Sequence, residues 1–146
     1  MKAYLTRRYH FSASHRLHAD ALSDAQNRDT YGKCNNPFGH GHNYSVAVTF
    51  AGPVDPATGM VCDLADLDAF AREHLLSRFH HHNLNTLDLF NELVPTTENL
   101  AVELHRIFLG FSARFPHAQL AHIHVEETGN NSFDFAGGPL PLPAKY

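Results

Sequence analysis

The chain has 146 residues, a net charge of −4 and no run of basic residues. Nucleic acid is therefore an unexpected partner, and the length is that of one domain able to bury a core without disulfide staples. No stretch approaches the roughly 20 apolar residues of a membrane span. MKAYLTRRYHF lacks an apolar segment after its charges, so no signal peptide is expected, and two cysteines make no disulfide framework; a cytoplasmic setting fits.

Residues 2–15 alternate as a strand, with Tyr9, Phe11, Ala13 and His15 on one face. Residues 17–39 are polar and turn-rich, with a short helical piece expected over 23–28. HNYSVAVTFAGPV (42–54) reads as a second strand. DPATG (55–59) is a turn, with Pro56 fixing φ and Gly59 free to take a positive φ; MVCD (60–63) reads as a short returning strand. Residues 64–79 place Leu64, Leu67, Phe70, Ala71, His74, Leu75 and Phe79 on one helical face. HHHNLN (80–85) is a loop. A second helix starts near Thr96 or Thr97, capped by a hydroxyl, and runs to about Phe115. QLAHIHVEET (119–128) is a long strand, Gly129-Asn130-Asn131 a hairpin turn suited to positive φ, and SFDFA its return. Residues 137–146 form an extended, Pro-rich tail. The order β-β-α-α-β-β predicts an α+β fold, a four-stranded antiparallel sheet with two helices on one face. Apolar residues on both strand faces suggest association through the sheets.

Histidine is in excess, with thirteen in the chain. In CNNPFGHGHNY (34–44), His40 and His42 are spaced i, i+2 at the start of a strand, so both imidazoles can reach one ion. They can equally be hydrogen-bonded surface residues. His15 joins them only if the first two strands are neighbours. Three histidines with an open position make a catalytic zinc site; Cys34 as a fourth ligand makes a closed, structural one. Glu127 on its own reads as a strand carboxylate beside Glu126. Arg16, Arg28 and Lys33 lie near these motifs, as anion-binding groups or as ordinary solvated charges.

FSASHRL (11–17), GKCNNPFGHGHNY (32–44), VDPATGMV (54–61), HHNLN (81–85), TTEN (96–99) and VEETGNN (125–131) resemble, in order, the 6-pyruvoyl-tetrahydropterin synthase family. That family includes 6-carboxy-tetrahydropterin synthase of the queuosine route. The resemblance implies a tunnelling fold (T-fold), in which sheets from several subunits close into a barrel, and a homohexamer with sites between subunits. It implies Zn2+ held by His15, His40 and His42, catalytic roles for Cys34 and His81, and a pterin anchored by Glu127 with help from Thr97 and Glu98. The implied reaction converts 7,8-dihydroneopterin triphosphate to 6-pyruvoyl-tetrahydropterin with loss of triphosphate. The alternatives are the carboxy product with release of acetaldehyde, and a zinc- and pterin-binding protein without turnover. One departure stands out: the family commonly has Asp-His where this chain has His80-His81. The carboxylate that would orient the imidazole is replaced, and Asp63, Asp66 and Asp88 are the candidates to supply another.

Overall fold

The computed structural model describes residues 2–138. All but the first two residues of the predicted tail lie outside them. Strand β1 spans Lys2–His15, helix α1 Asp24–Tyr31 and strand β2 His40–Pro53. Helix α2 covers Leu64–Ala71 and continues through a π-helical segment, Arg72–Leu76, to a last turn at Ser77–Phe79. Strand β3 (His82–Asn83), helix α3 (Thr97–Arg114), and strands β4 (Gln119–Glu126) and β5 (Ser132–Phe135) complete the order.

The sheet runs β3-β1-β2-β4-β5. Among the described residues it therefore has five strands, not the expected four, and it is mixed. β3 pairs in parallel with Ala13 and Ser14 of β1, inside the segment expected to be a loop. Among the described residues there are three helices rather than two, α1 being the short piece foreseen over 23–28. It opens on a reciprocal capping box between Ser23 and Gln26. The returning strand expected at 60–63 does not form. β2 already has β1 on one edge and β4 on the other, so neither edge of β2 is free to receive it. Asp63 instead caps α2 through the Ala65 amide at 2.8 Å.

Within α2 and its continuation, Ala71, Leu75 and Phe79 are all fully buried. A spacing of four overshoots the 3.6-residue turn by about 40° at each step. The wider π turn absorbs that drift and keeps the three on the core side. The core packs Phe11 against Tyr44 at 5.0 Å and Phe50 against Phe111 at 5.0 Å. Arg7 makes a bidentate pair with Asp68, and the Tyr9 hydroxyl donates to the same carboxylate at 2.9 Å, tying β1 to α2.

The opposite sheet face is more polar than the sequence suggested. Thr6 bonds Thr49 at 2.8 Å and Ser12 bonds Asn43 at 2.6 Å, with the small Ala47 between them and Ala51 just beyond Thr49. The 129–131 hairpin also forms without positive φ. The Thr128 hydroxyl accepts from the amides of Asn130 and Asn131, at 3.1 and 3.2 Å, and so bends the chain instead. No helix among the described residues is long and apolar enough to cross a membrane.

Candidate metal centre

Antiparallel pairing sets His15 opposite His40, and Ala13 opposite His42. Side chains repeat every second residue along a strand, so all three imidazoles project from the helix-covered face. Sequence spacing gave the His40–His42 pair; the register adds His15.

The approach to β2 is built by local hydrogen bonds. Leu17 N–H donates to the Cys34 carbonyl at 2.8 Å, and the Asn35 amide donates to the Leu17 carbonyl at 2.8 Å. Gly39 then takes φ 70°, in the left-handed region. A Cβ there would stand 2.9 Å from the His15 carbonyl oxygen, so only glycine lets the two strands close at the site.

His15 Nε2 lies 3.1 Å from His40 Nε2. His15 is 1% exposed, and its Nδ1 donates to the Pro95 carbonyl at 2.7 Å. That bond fixes the tautomer and turns the Nε2 lone pair into the cluster, as backbone partners of metal-ligating histidines do. Pro95 in this role was not legible in the sequence. His42 Nε2 is 2.9 Å from Glu127 Oε1, yet it is buried and makes no hydrogen bond. The approach is close but misdirected, and the nitrogen is left without a partner. The ligand atoms of His15, His40, His42 and Glu127 all lie within 4.8 Å of one another. An orphaned buried imidazole nitrogen among two others is what a zinc ion would satisfy, so the residues fit that metal.

Burial first, and then the neighbouring imidazoles, hold His15 and His42 below the ordinary histidine value, against the opposing pull of Glu127. Neutral rings are the form that binds metal. Burial first, and then the charge of Glu127, push the Cys34 thiol up. Cys34 stands outside the group of convergent ligand atoms; the fourth group there is Glu127.

Glu127 accepts a 2.6 Å hydrogen bond from the Thr97 hydroxyl, at the start of α3. Glu98, the next residue, is exposed and takes no part in these contacts. His81 adopts φ 61°, the only non-glycine residue with positive φ among the described residues. Its amide donates to the Ser12 carbonyl at 2.7 Å, and it lines an open groove of about 530 Å³ together with His42. His80 accepts the Ser12 amide at Nδ1 and stacks on His81, ring centroids 3.7 Å apart. Among the described residues, neither Asp63, Asp66 nor Asp88 pairs with His81, and no hydrogen bond joins it to Cys34.

Fold and cluster together define a T-fold protein with a histidine-rich centre under its helices. The family model of 6-pyruvoyl tetrahydropterin synthase matches residues 4–137. The chain is 45% identical to 6-pyruvoyl tetrahydrobiopterin synthase of Homo sapiens over 137 residues, 93% of this chain and 92% of that protein. It is 41% identical to the Drosophila melanogaster protein of that name, over 99% of this chain and 84% of that one. The solved 6-pyruvoyl tetrahydropterin synthase of Caenorhabditis elegans superposes with a TM-score of 0.88 at 39% identity, over 94% of this chain and 97% of that one. The chain belongs to the 6-pyruvoyl tetrahydropterin synthase family.

Proposed function

We propose that the chain is a zinc-dependent lyase that converts 7,8-dihydroneopterin triphosphate to 6-pyruvoyl-tetrahydropterin with elimination of triphosphate. The observation that carries this reading is the His15–His40–His42 cluster with its unpartnered His42 nitrogen, in a chain 45% identical to a synthase of that name. Zinc held by the three histidines would supply Lewis acidity toward the oxygens of the substrate side chain.

The protein's own groups do the rest. Glu127 offers two acceptor oxygens, which suit adjacent N–H groups on a pterin edge, and Thr97 holds the carboxylate in place. Glu98 would approach the pterin only by its backbone or by a rearranged side chain, since it is exposed here. Cys34 takes a proton from the substrate side chain as thiolate, and His81 is the matching acid–base group. No hydrogen bond joins the two within one chain. The proposed homohexamer, with sites between subunits, lets different chains supply them. Arg16 and Arg28 line a pocket of about 350 Å³ beside the Cys34 loop and are the proposed triphosphate donors. The setting proposed is the cytoplasm.

Mass spectrometry of products from zinc-loaded protein and dihydroneopterin triphosphate tests this. Pyruvoyl-tetrahydropterin supports it. Carboxy-tetrahydropterin with acetaldehyde moves the chain to the queuosine branch. Unchanged substrate with zinc and pterin bound makes it a binding protein.

A further inference from the structure

The sheet carries a second group of convergent ligands, on the face turned away from the helices. Ile123 and Val125 of β4 are fully buried in the core, so the alternating His122 and His124 project from the opposite face. Antiparallel pairing sets Asp134 of β5 directly across from His124. Asp134 Oδ1 lies 2.7 Å from His122 Nε2 and 2.9 Å from His124 Nδ1. The ligand atoms of these three residues lie within 4.8 Å of one another.

We propose that His122, His124 and Asp134 form a second divalent transition-metal site, distinct from the His15–His40–His42 centre and on the other face of the sheet. The construction repeats that of the first cluster: an i, i+2 pair of histidines on one strand, and a third ligand directly opposite on the next. Two imidazoles with one carboxylate oxygen suit Zn2+, Ni2+ or Co2+, whereas Mg2+ and Ca2+ take oxygen ligands. The small Ala47 is the β2 partner of His124 and Thr49 that of His122, which leaves room above the sheet. In the single chain the side chains of His122, His124 and Asp134 are 36%, 24% and 60% exposed, so an ion can reach them and water can complete its shell.

In the hydrogen-bonded state the facing N–H groups of both rings donate to Asp134 Oδ1. To bind an ion, a neutral ring moves its N–H to the other nitrogen; a charged ring releases one proton. Glu126 Oε1 stands 3.6 Å from His124 Nε2, on the side where that N–H would then point.

Metal content per chain, measured on chelator-stripped protein dialysed against Zn2+, tests the proposal. Two ions are expected in the wild type, one in His122→Gln/His124→Gln, and one in His40→Ala/His42→Ala. One ion in the wild type and none in His122→Gln/His124→Gln would uphold this site while refuting the first. Equal content in the wild type and His122→Gln/His124→Gln overturns the proposal. Should that double variant fail to fold by circular dichroism, Asp134→Asn, which keeps the shape of the side chain, decides in the same way.

Discussion

His42 Nε2 stands 2.9 Å from Glu127 Oε1, itself buried and with no hydrogen bond to anything. A buried polar atom in that state costs stability, and a cation between the two groups would relieve it. Zinc should therefore raise the unfolding temperature of stripped protein. Binding at a hundredfold excess over Kd contributes about 2.7 kcal/mol. In His42→Ala, differential scanning calorimetry should find most of that gain gone.

The stripped protein should lose stability in weak acid. An ordinary histidine titrates near 6.5, and His15 and His42 are held lower when folded, chiefly by burial. Below 6.5 the unfolded chain then binds more protons than the folded one, so stability falls as pH drops from about 7 toward 5 and is flat just above. Urea midpoints across that range check the sign. A midpoint that rises on acidification contradicts it.

Cys34 should be a slow nucleophile in stripped protein at neutral pH. Burial and the charge of Glu127 both raise its thiol, leaving little thiolate. Zinc beside Glu127 offsets that charge, so loading should speed alkylation by iodoacetamide severalfold. Peptide mapping separates Cys34 from the buried Cys62. Equal rates with and without zinc would show that Cys34 does not sense the centre.

Thr97→Val removes the hydroxyl that positions Glu127 while keeping the shape. A hydrogen bond to a charged group contributes about 1.5–3 kcal/mol. The kcat/KM for the pterin substrate should fall by roughly tenfold or more, mainly through KM if Glu127 binds the ring. Thr97→Ser should restore most of it.

His80 cannot serve His81 as a carboxylate would, because its Nδ1 is engaged by the Ser12 amide and its ring stacks rather than points. His80→Asp should therefore quicken proton transfer and change the pH–rate profile. Acid–base assistance of this kind is worth ~10²–10⁴-fold in full, so a gain of several-fold is a modest expectation. Unaltered rate and profile would refute the idea that the missing carboxylate limits turnover.

The strands and helices with long hydrophobic periods were legible in the sequence, since burying Tyr9, Phe11 and Ala13 on one side leaves a period-2 record. What escaped was structure fixed by neighbours rather than by pattern. Residues 60–63 read as a returning strand, but both edges of β2 are already taken by β1 and β4. His82 and Asn83 have no strand signature, and they pair because β1 offers an edge at Ala13 and Ser14. The left-handed backbone of His81 leaves no trace, because that conformation is uncommon for any residue but glycine and no local pattern marks it. In the candidate site, His40 and His42 announce themselves by spacing. His15 and Glu127 reach them only through register, and the Pro95 carbonyl only through the course of the chain before α3.

The two-residue length of β3 has a consequence for handling the protein. β3 covers β1 only at Ala13 and Ser14, so among the described residues the outer edge of β1 from Lys2 to Phe11 has no strand beside it, while β5 closes the other side with only four residues. Such bare edges invite pairing with other chains. Chains brought together slowly have time to find ordered edge-to-edge partners. Chains refolded fast and concentrated meet as exposed ladders, so yield after refolding should depend on protein concentration more steeply than on the stability of the single chain.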